Sequence, residues 1–285
     1  MTSKKLLVIC QHFWPESFRI NDICDFLLEN EYEIEVLCGI PNYPKGYFYD
    51  GYSFFKNRKQ TYKGMQIRRA YEIPRKSNNN IRVFLNYMSF PFTSLFHIPR
   101  LLRKKYDKIF LYQLSPVMMS IAGIIVGKIK KTETIMYVLD LWPENLFSVI
   151  KVKNKFLVKL LTKISHWHYK KVDKIIVLSE AMRLKMLDIV DLDEEKIIVL
   201  PQACEKFYEE PIKDNSLEER FEDKFNIVYA GNISPAQSFE TVLAAAELIR
   251  NDGIEDIRFI IVGEGMSYTW LKQEVDNRNL NDMFV

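Results

Sequence analysis

Residues 225–263 read FNIVYAGNISPAQSFETVLAAAELIRNDGIEDIRFIIVG. Phe225–Ala230 is a mostly apolar run that ends on Gly231, residues 236–251 carry apolar groups at helical spacing, and Ile257–Val262 is a second apolar run ending on Gly263. Runs without polar alternation belong to parallel strands covered on both faces, and a helix between two of them supplies the crossover that a parallel pair requires. The stretch is therefore a βαβ unit. A further helix is predicted over 267–279, and the chain reaches Val285 where a third strand would begin.

Upstream the same alternation repeats. Apolar runs at 5–10, 34–38, 108–112, 134–139, 174–178 and 196–200 predict strands, and residues 19–30, 81–105, 117–130, 153–171 and 180–189 predict helices. Residues 65–71 alternate, as an extra strand with one wet face would. Strand and helix in alternation imply the α/β class: two Rossmann-like, doubly wound domains. The first is expected over 1–200, an acidic interdomain connection over 201–224, and an incomplete second domain over 225–285.

Bulk properties agree with this division. A chain of 285 residues is long for one core and short for two full α/β domains. Residues 201–285 hold 8 Lys+Arg against 17 Asp+Glu, a charge of −9, which leaves +12 on residues 1–200. A basic first domain is expected to face a polyanion, with chance clustering on solvated faces as the plain alternative. The start, MTSKKLLVIC, turns polar at Gln11 too soon for a secretory signal, and no run approaches the roughly 18–20 apolar residues of a spanning helix. The expected location is cytoplasmic, peripheral on the inner face of the cell membrane. Cys10, Cys24, Cys38 and Cys204 form no C-x-x-C pair and no ligand-spaced group with the four histidines, so they read as reduced core thiols. No metal site and no cofactor are expected.

The segment after the first strand, CQHFWPESFRIND, contains no glycine, which argues against a dinucleotide fingerprint, and no Walker loop occurs in the chain. Gly231 and Gly263 differ, because each sits where a strand gives way to a helix. Open α/β sheets bind ligands at that edge, and free N–H groups at a helix start suit phosphate. Glycine after a strand is also a common turn device, so the spacing alone leaves both readings open. Asp140 follows the strand at 134–139 beside Trp142 and Pro143. It could hold a sugar hydroxyl, assist proton transfer or cap the next turn.

YAGNISPAQSFETVLAAAELI at 229–249, followed by IRFIIVGEGM at 257–266, resembles the nucleotide-sugar lobe of family 4 retaining glycosyltransferases of the GT-B fold. QHFWPESFRIND at 11–22, GIPNYPKG at 39–46, LNYMSF at 85–90, DLWPE at 140–144 and IIVLSEAM at 175–182 follow in the order of the branch that includes N-acetyl-L-fucosamine transferases of capsule and O-antigen synthesis. The resemblance implies a retaining transferase that moves a sugar, such as N-acetyl-L-fucosamine or a related deoxy-aminosugar, from a UDP-sugar donor to a polyprenyl-linked glycan acceptor. It also implies no metal, with the donor's own phosphate receiving the acceptor proton.

Residue by residue, the resemblance assigns Gly231, Asn232 and Gln237 to the donor diphosphate loop, although many relatives carry Arg and Lys there. It assigns Gly263, Glu264 and Gly265 to the next donor loop. On the acceptor side it implicates Glu16, Ser17, Arg19 and Asn21, together with Asn42 and Tyr43, and it makes Asp140 the catalytic candidate. The plain alternatives are that Asn21 and Asp22 form a helix first turn and that Arg19 pairs with Glu16. The family's E-x7-E segment would lie beyond Val285. The matches within the chain, Glu210 with Glu218 and Glu247 with Glu255, fall in the connection and at a helix end and are read as accidental. The fragment 1–285 is thus expected to be inactive alone.

Two segments concern membranes. Ile73–Tyr106 holds seven Lys+Arg and no acid, and Lys151–Lys174 holds eight lysines and one acid, both interleaved with large apolar groups. Lys155, Lys159 and Lys163 are expected to face an anionic membrane surface, unless the apolar faces simply cover the sheet. Nucleic acid is not expected as a partner, because no binding motif accompanies the charge. The rival readings are a UDP-sugar 2-epimerase of the same fold and a non-catalytic membrane- or glycan-binding fragment.

Overall fold

The computed structural model describes residues 4–76, 80–149, 154–204, 208, 210 and 212–285. The chain divides into two compact units, Met1–Glu205 and Lys206–Val285.

The first unit runs β1 (Lys4–Cys10), α1 (Ile20–Glu29), β2 (Tyr32–Cys38), β3 (Lys59–Tyr62), β4 (Met65–Arg69), α2 (Asn80–Ser94), α3 (Ile98–Leu102), β5 (Lys108–Gln113) and α4 (Ile121–Lys130). It continues with β6 (Glu133–Val138), α5 (Glu144–Val149), α6 (Lys155–Lys171), β7 (Lys174–Val177), α7 (Glu180–Ile189) and β8 (Ile197–Val199). The eight strands form one sheet in the order β3-β4-β2-β1-β5-β6-β7-β8, parallel except for the β3–β4 hairpin. Side chains alternate across each strand, so β1 feeds two cores. Leu7 and Ile9 join Leu111, Met136 and Val177 on one face, while Leu6 and Val8 join Ile34, Val36 and Ile67 on the other. From β1 the chain winds outward to β2, then returns to β5 and winds the opposite way. That reversal puts the crevice of the sheet at the carboxyl ends of β1 and β5.

The second unit holds α8 (Asn215–Phe221), β9 (Phe225–Ala230), α9 (Phe239–Asn251), β10 (Ile257–Val262) and α10 (Tyr268–Asn277). β9 and β10 pair in parallel, and Phe284 forms a parallel bridge with Phe259 where the third strand was expected to begin. Phe239, Leu243, Leu271 and Val275 pack on Phe259 to make its core.

Several expectations need correction. The helix expected over 81–105 is broken: Pro91 lies inside α2, and after Ser94 the chain tightens into a 3-10 turn at Leu95–His97 before α3. Proline lacks the N–H for a helical bond, which weakens the ladder just before the break. β3 went unforeseen because KQTY is polar, as an edge strand can be. α5 and α8 were likewise not anticipated. The connection expected over 201–224 contains α8, capped by Asp214, whose carboxylate accepts from Ser216 N at 3.0 Å. Cys10, Cys24 and Cys38 are buried, but Cys204 is exposed and is no core thiol. The expected helix start at 153, Lys151 and Lys153, and residues 205–207, 209 and 211 of the expected connection lie outside the described residues.

Candidate functional site

At the crevice of the first unit the loop after β1 is fixed by its own polar groups. Asn21 Oδ1 accepts from Trp14 N at 2.9 Å, and its Nδ2 donates to the Glu16 carbonyl at 2.7 Å. Glu16 is buried, and its Oε1 accepts from the backbone N–H groups of Asn42 and Tyr43 at 2.8 and 2.7 Å. The loop 39–46 therefore hangs on one carboxylate from the loop after β1. Asn42 is buried too, with Nδ2 on the Ile40 carbonyl at 2.9 Å. Arg19 does not pair with Glu16. Its Nη1 binds Asp22 at 2.7 Å and its Nη2 donates to the Ala203 carbonyl at 2.6 Å. Of these candidates, Ser17 and Tyr43 are the exposed ones.

Sequence reasoning missed the groups beneath. His12 Nδ1 lies 3.2 Å from both Glu16 carboxylate oxygens, and its ring stacks on Phe18 at 4.7 Å between centroids. Burial alone would lower the His12 pKa, but the hydrogen bond and charge of Glu16 outweigh it and the value rises above 6.5. Glu72, just past β4, is fully buried and accepts from Gln11 Nε2 at 2.8 Å and Asn86 Nδ2 at 3.0 Å, while its Oε2 has no partner. Burial pushes its pKa up to about 7, with Glu16 adding to the rise and His12 opposing it. The legible signal was a polar pair directly after the carboxyl end of β1, at Gln11 and His12, whereas Glu72 follows β4 only after Ala70 and Tyr71.

Asp140 occupies the same sheet edge. Its Oδ2 accepts from Ser115 Oγ at 3.1 Å and its Oδ1 from Asn145 Nδ2 at 2.8 Å. The adjoining Trp142 is pinned at both backbone groups by Tyr169 of α6, which donates to its carbonyl at 3.1 Å and accepts from its N–H at 3.0 Å. Asp140 is half-buried at the mouth of β5 and β6, and each of its carboxylate oxygens keeps a lone pair beyond the bond from Ser115 or Asn145.

In the second unit the loops after β9 and β10 run side by side. Gly231 N–H donates to the Val262 carbonyl at 2.9 Å, Ile233 N–H to Glu264 at 2.9 Å and Ser267 N–H to Ile233 at 3.0 Å. The approach is so close that a Cβ at Gly263 would lie 1.9 Å from the Gly231 oxygen, and one at Gly265 would lie 2.2 Å from the Ile233 oxygen. Asn232, Gln237 and Glu264 are exposed on this edge. It is the carboxyl edge of a βαβ unit, with a 3-10 turn at Pro235–Gln237 leading into α9.

On α6, Lys155, Lys159 and Lys163 are exposed, and so are Phe156 (76%), Leu157, Leu160 and Trp167 (40%). Part of its apolar stripe thus faces outward, while Leu161 packs on the core. Among the described residues no helix is long and apolar enough to cross a membrane, and no group of three or more His, Cys, Asp or Glu could hold a metal ion.

The fold is that of the GT-B glycosyltransferases. HepE of Anabaena, solved in complex with UDP and glucose, superposes with a TM-score of 0.66 at 11% identity, covering 99% of this chain and 68% of that one. A UDP-forming α,α-trehalose-phosphate synthase from Burkholderia vietnamiensis gives 0.63 at 7% identity, with 99% and 68% covered. In sequence the chain is similar to WcaI of Escherichia coli K12, named as a colanic acid biosynthesis glycosyl transferase, at 23% identity over 98% of this chain and 70% of that protein. It is also similar to WbjE of Pseudomonas aeruginosa, named as a glycosyltransferase, at 28% identity over 46% of this chain and 33% of that protein. No family model matches the chain.

Proposed function

We propose that this protein is a glycosyltransferase of surface polysaccharide assembly, taking its sugar from a UDP-linked donor and passing it to a lipid-linked glycan at an anionic membrane surface. The observation that carries this is the similarity to WcaI along nearly the whole chain, on the same fold as a UDP-bound neighbour.

In this reading the paired loops at Gly231–Gln237 and Gly263–Gly265 hold the donor diphosphate, because their backbone groups lie at the edge where α/β sheets bind phosphate. The diphosphate gains a further negative charge on its terminal oxygen as the bond to the sugar breaks, until that oxygen takes the acceptor proton, and neither loop offers a cation, so its stabilisation falls to backbone N–H groups and Asn232. Asp140 receives an acceptor hydroxyl at a lone pair of its carboxylate. The loops joined by Glu16 shape the acceptor side, with Ser17, Arg19 and Tyr43 at its surface. Transfer proceeds with retention, and the donor is a deoxy-N-acetylhexosamine. The exposed lysines and rings of α6 dock the first unit on the membrane.

Incubation of the full-length enzyme with UDP-N-acetyl-deoxyhexosamines and a polyprenyl-linked acceptor, followed by NMR of the product's anomeric centre, tests it. Retained configuration is expected. An inverted product would end the retaining mechanism, and donor epimerisation without transfer would favour the UDP-sugar 2-epimerase alternative.

A further inference from the structure

Strand register sets Glu35 and Leu37 of β2 beside Gln66 and Arg68 of β4. Glu35 is buried and already surrounded: it pairs with Arg100, with Lys104 at 2.7 Å and with the Tyr106 hydroxyl at 2.9 Å. Two cations thus share one carboxylate, and more lie nearby. The half-buried Arg68 guanidinium makes no hydrogen bond or ion pair with another described residue, and Nη1 of Arg100 is buried without a partner. Arg58 lies over Tyr71, 3.7 Å from the ring centroid, and its Nε donates to the Arg69 carbonyl at 2.8 Å.

His97 sits among these three arginines. Burial, and then the charges of Arg58, Arg100 and Arg68, hold its pKa down to about 4, so near neutral pH it adds no charge. The corner keeps more positive charge than Glu35 can balance. A chain that half-buries such an excess leaves a place for an anion.

The surroundings say which anion. Phe92 and Phe96 are 64% and 73% exposed and stand edge to face at 5.8 Å. Thr93 between them donates to the Tyr71 carbonyl, tying this turn to the Arg58–Tyr71 stack. A soluble anion would need the cations alone. Cations bordered by outward phenylalanines match the headgroup boundary of a bilayer, where phosphate lies beside acyl chain.

We propose that Arg68 and Arg100, reinforced by Arg58, bind the phosphate of an anionic phospholipid while Phe92 and Phe96 enter the headgroup layer beside it. This rests on the membrane part of the proposed function, but it names a contact separate from α6.

Sedimentation with phosphatidylglycerol–phosphatidylcholine vesicles tests it, with pure phosphatidylcholine vesicles, inorganic phosphate and a single-stranded oligonucleotide as the other arms. R68Q removes a side chain that makes no hydrogen bond or ion pair with another described residue and is expected to lower partition onto the anionic vesicles about five-fold. F92S/F96S is expected to lower it as well, without change in the circular dichroism of either variant. Unchanged partition of both variants, while K155E/K159E/K163E is released, would overturn this inference and leave α6 docking standing. Absence of wild-type binding to anionic vesicles would overturn both. Wild-type binding to phosphate or to the oligonucleotide, but not to vesicles, would show a different ligand and overturn the lipid assignment.

Discussion

The Cβ that Gly263 lacks would lie 1.9 Å from the carbonyl oxygen of Gly231. The two residues follow neighbouring strands, so the missing side chain is what lets the loops after β9 and β10 close on each other. Gly263→Ala must push backbone against backbone, and overpacking of this kind costs about 1–3 kcal/mol. A lower urea midpoint for the second unit, with the first unit's transition unmoved, is the expected result. Equal midpoints would mean that the loops part without cost.

Glu16 holds two backbone N–H groups of the loop 39–46. Glu16→Ala leaves both donors unpaired in a buried place, at a cost of roughly 1–3 kcal/mol. Hydrogen exchange at Asn42 and Tyr43 is expected to accelerate while exchange in β1 is unchanged. Protection retained at both amides would refute the tether.

The buried pair His12 and Glu72 gives a pH dependence of fixed sign. Glu72 is raised from 4.5 to about 7, so as pH climbs through that window the unfolded chain releases this proton first and the folded state loses stability. His12 is also raised, so its pairing with Glu16 is fully present below 6.5 and is lost as pH rises through the folded value. Both act in one direction: the first unit weakens from mildly acidic to mildly alkaline pH. Glu72→Gln cannot ionise and is expected to recover on the order of 3 kcal/mol at pH 8 relative to pH 5. Urea titrations at the two pH values decide it, and an unchanged slope in the variant would discard Glu72 as a cause.

For α6, K155E/K159E/K163E reverses three exposed charges without touching the core, so release from anionic vesicles with an unchanged thermal midpoint is expected. Raising ionic strength should weaken wild-type docking too, since exposed charges are screened over about 8 Å at physiological salt. Equal vesicle binding by wild type and variant would remove α6 from the interface.

The fold was legible where apolar runs mark the strands. FNIVYA and IRFIIV occupy the predicted residues 225–230 and 257–262, but the cover on both faces expected of them is not found: Phe225, Ile227 and Val228 of β9 are exposed, and Phe259 alone is buried in β10. It was illegible at β3, whose four residues are polar because one of its edges faces water. Pro91 offered a hint of the break after α2, but a periodic apolar pattern on both sides of it concealed the 3-10 turn. At the site, sequence could place Glu16 and Asn21 in the loop after β1. It could not show that both turn inward to hold that loop and its neighbour. Glu72 escaped notice because an isolated acid after a strand looks like any surface residue, and only packing reveals that nothing solvates it.

A protein of this fold that takes a UDP-linked donor, as proposed, binds UDP in preference to a dinucleotide. Calorimetric titration of the protein with UDP, and separately with NAD, tests it most directly, with Gly231→Val as the control. A Cβ at Gly231 would already meet the Tyr229 hydroxyl at 3.0 Å, and valine adds bulk at the edge assigned to phosphate. Binding of UDP is expected, with no comparable binding of NAD and with loss of the UDP signal in the variant while the first unit stays folded. Tighter binding of NAD than of UDP, or an unaltered UDP isotherm for Gly231→Val, would contradict it.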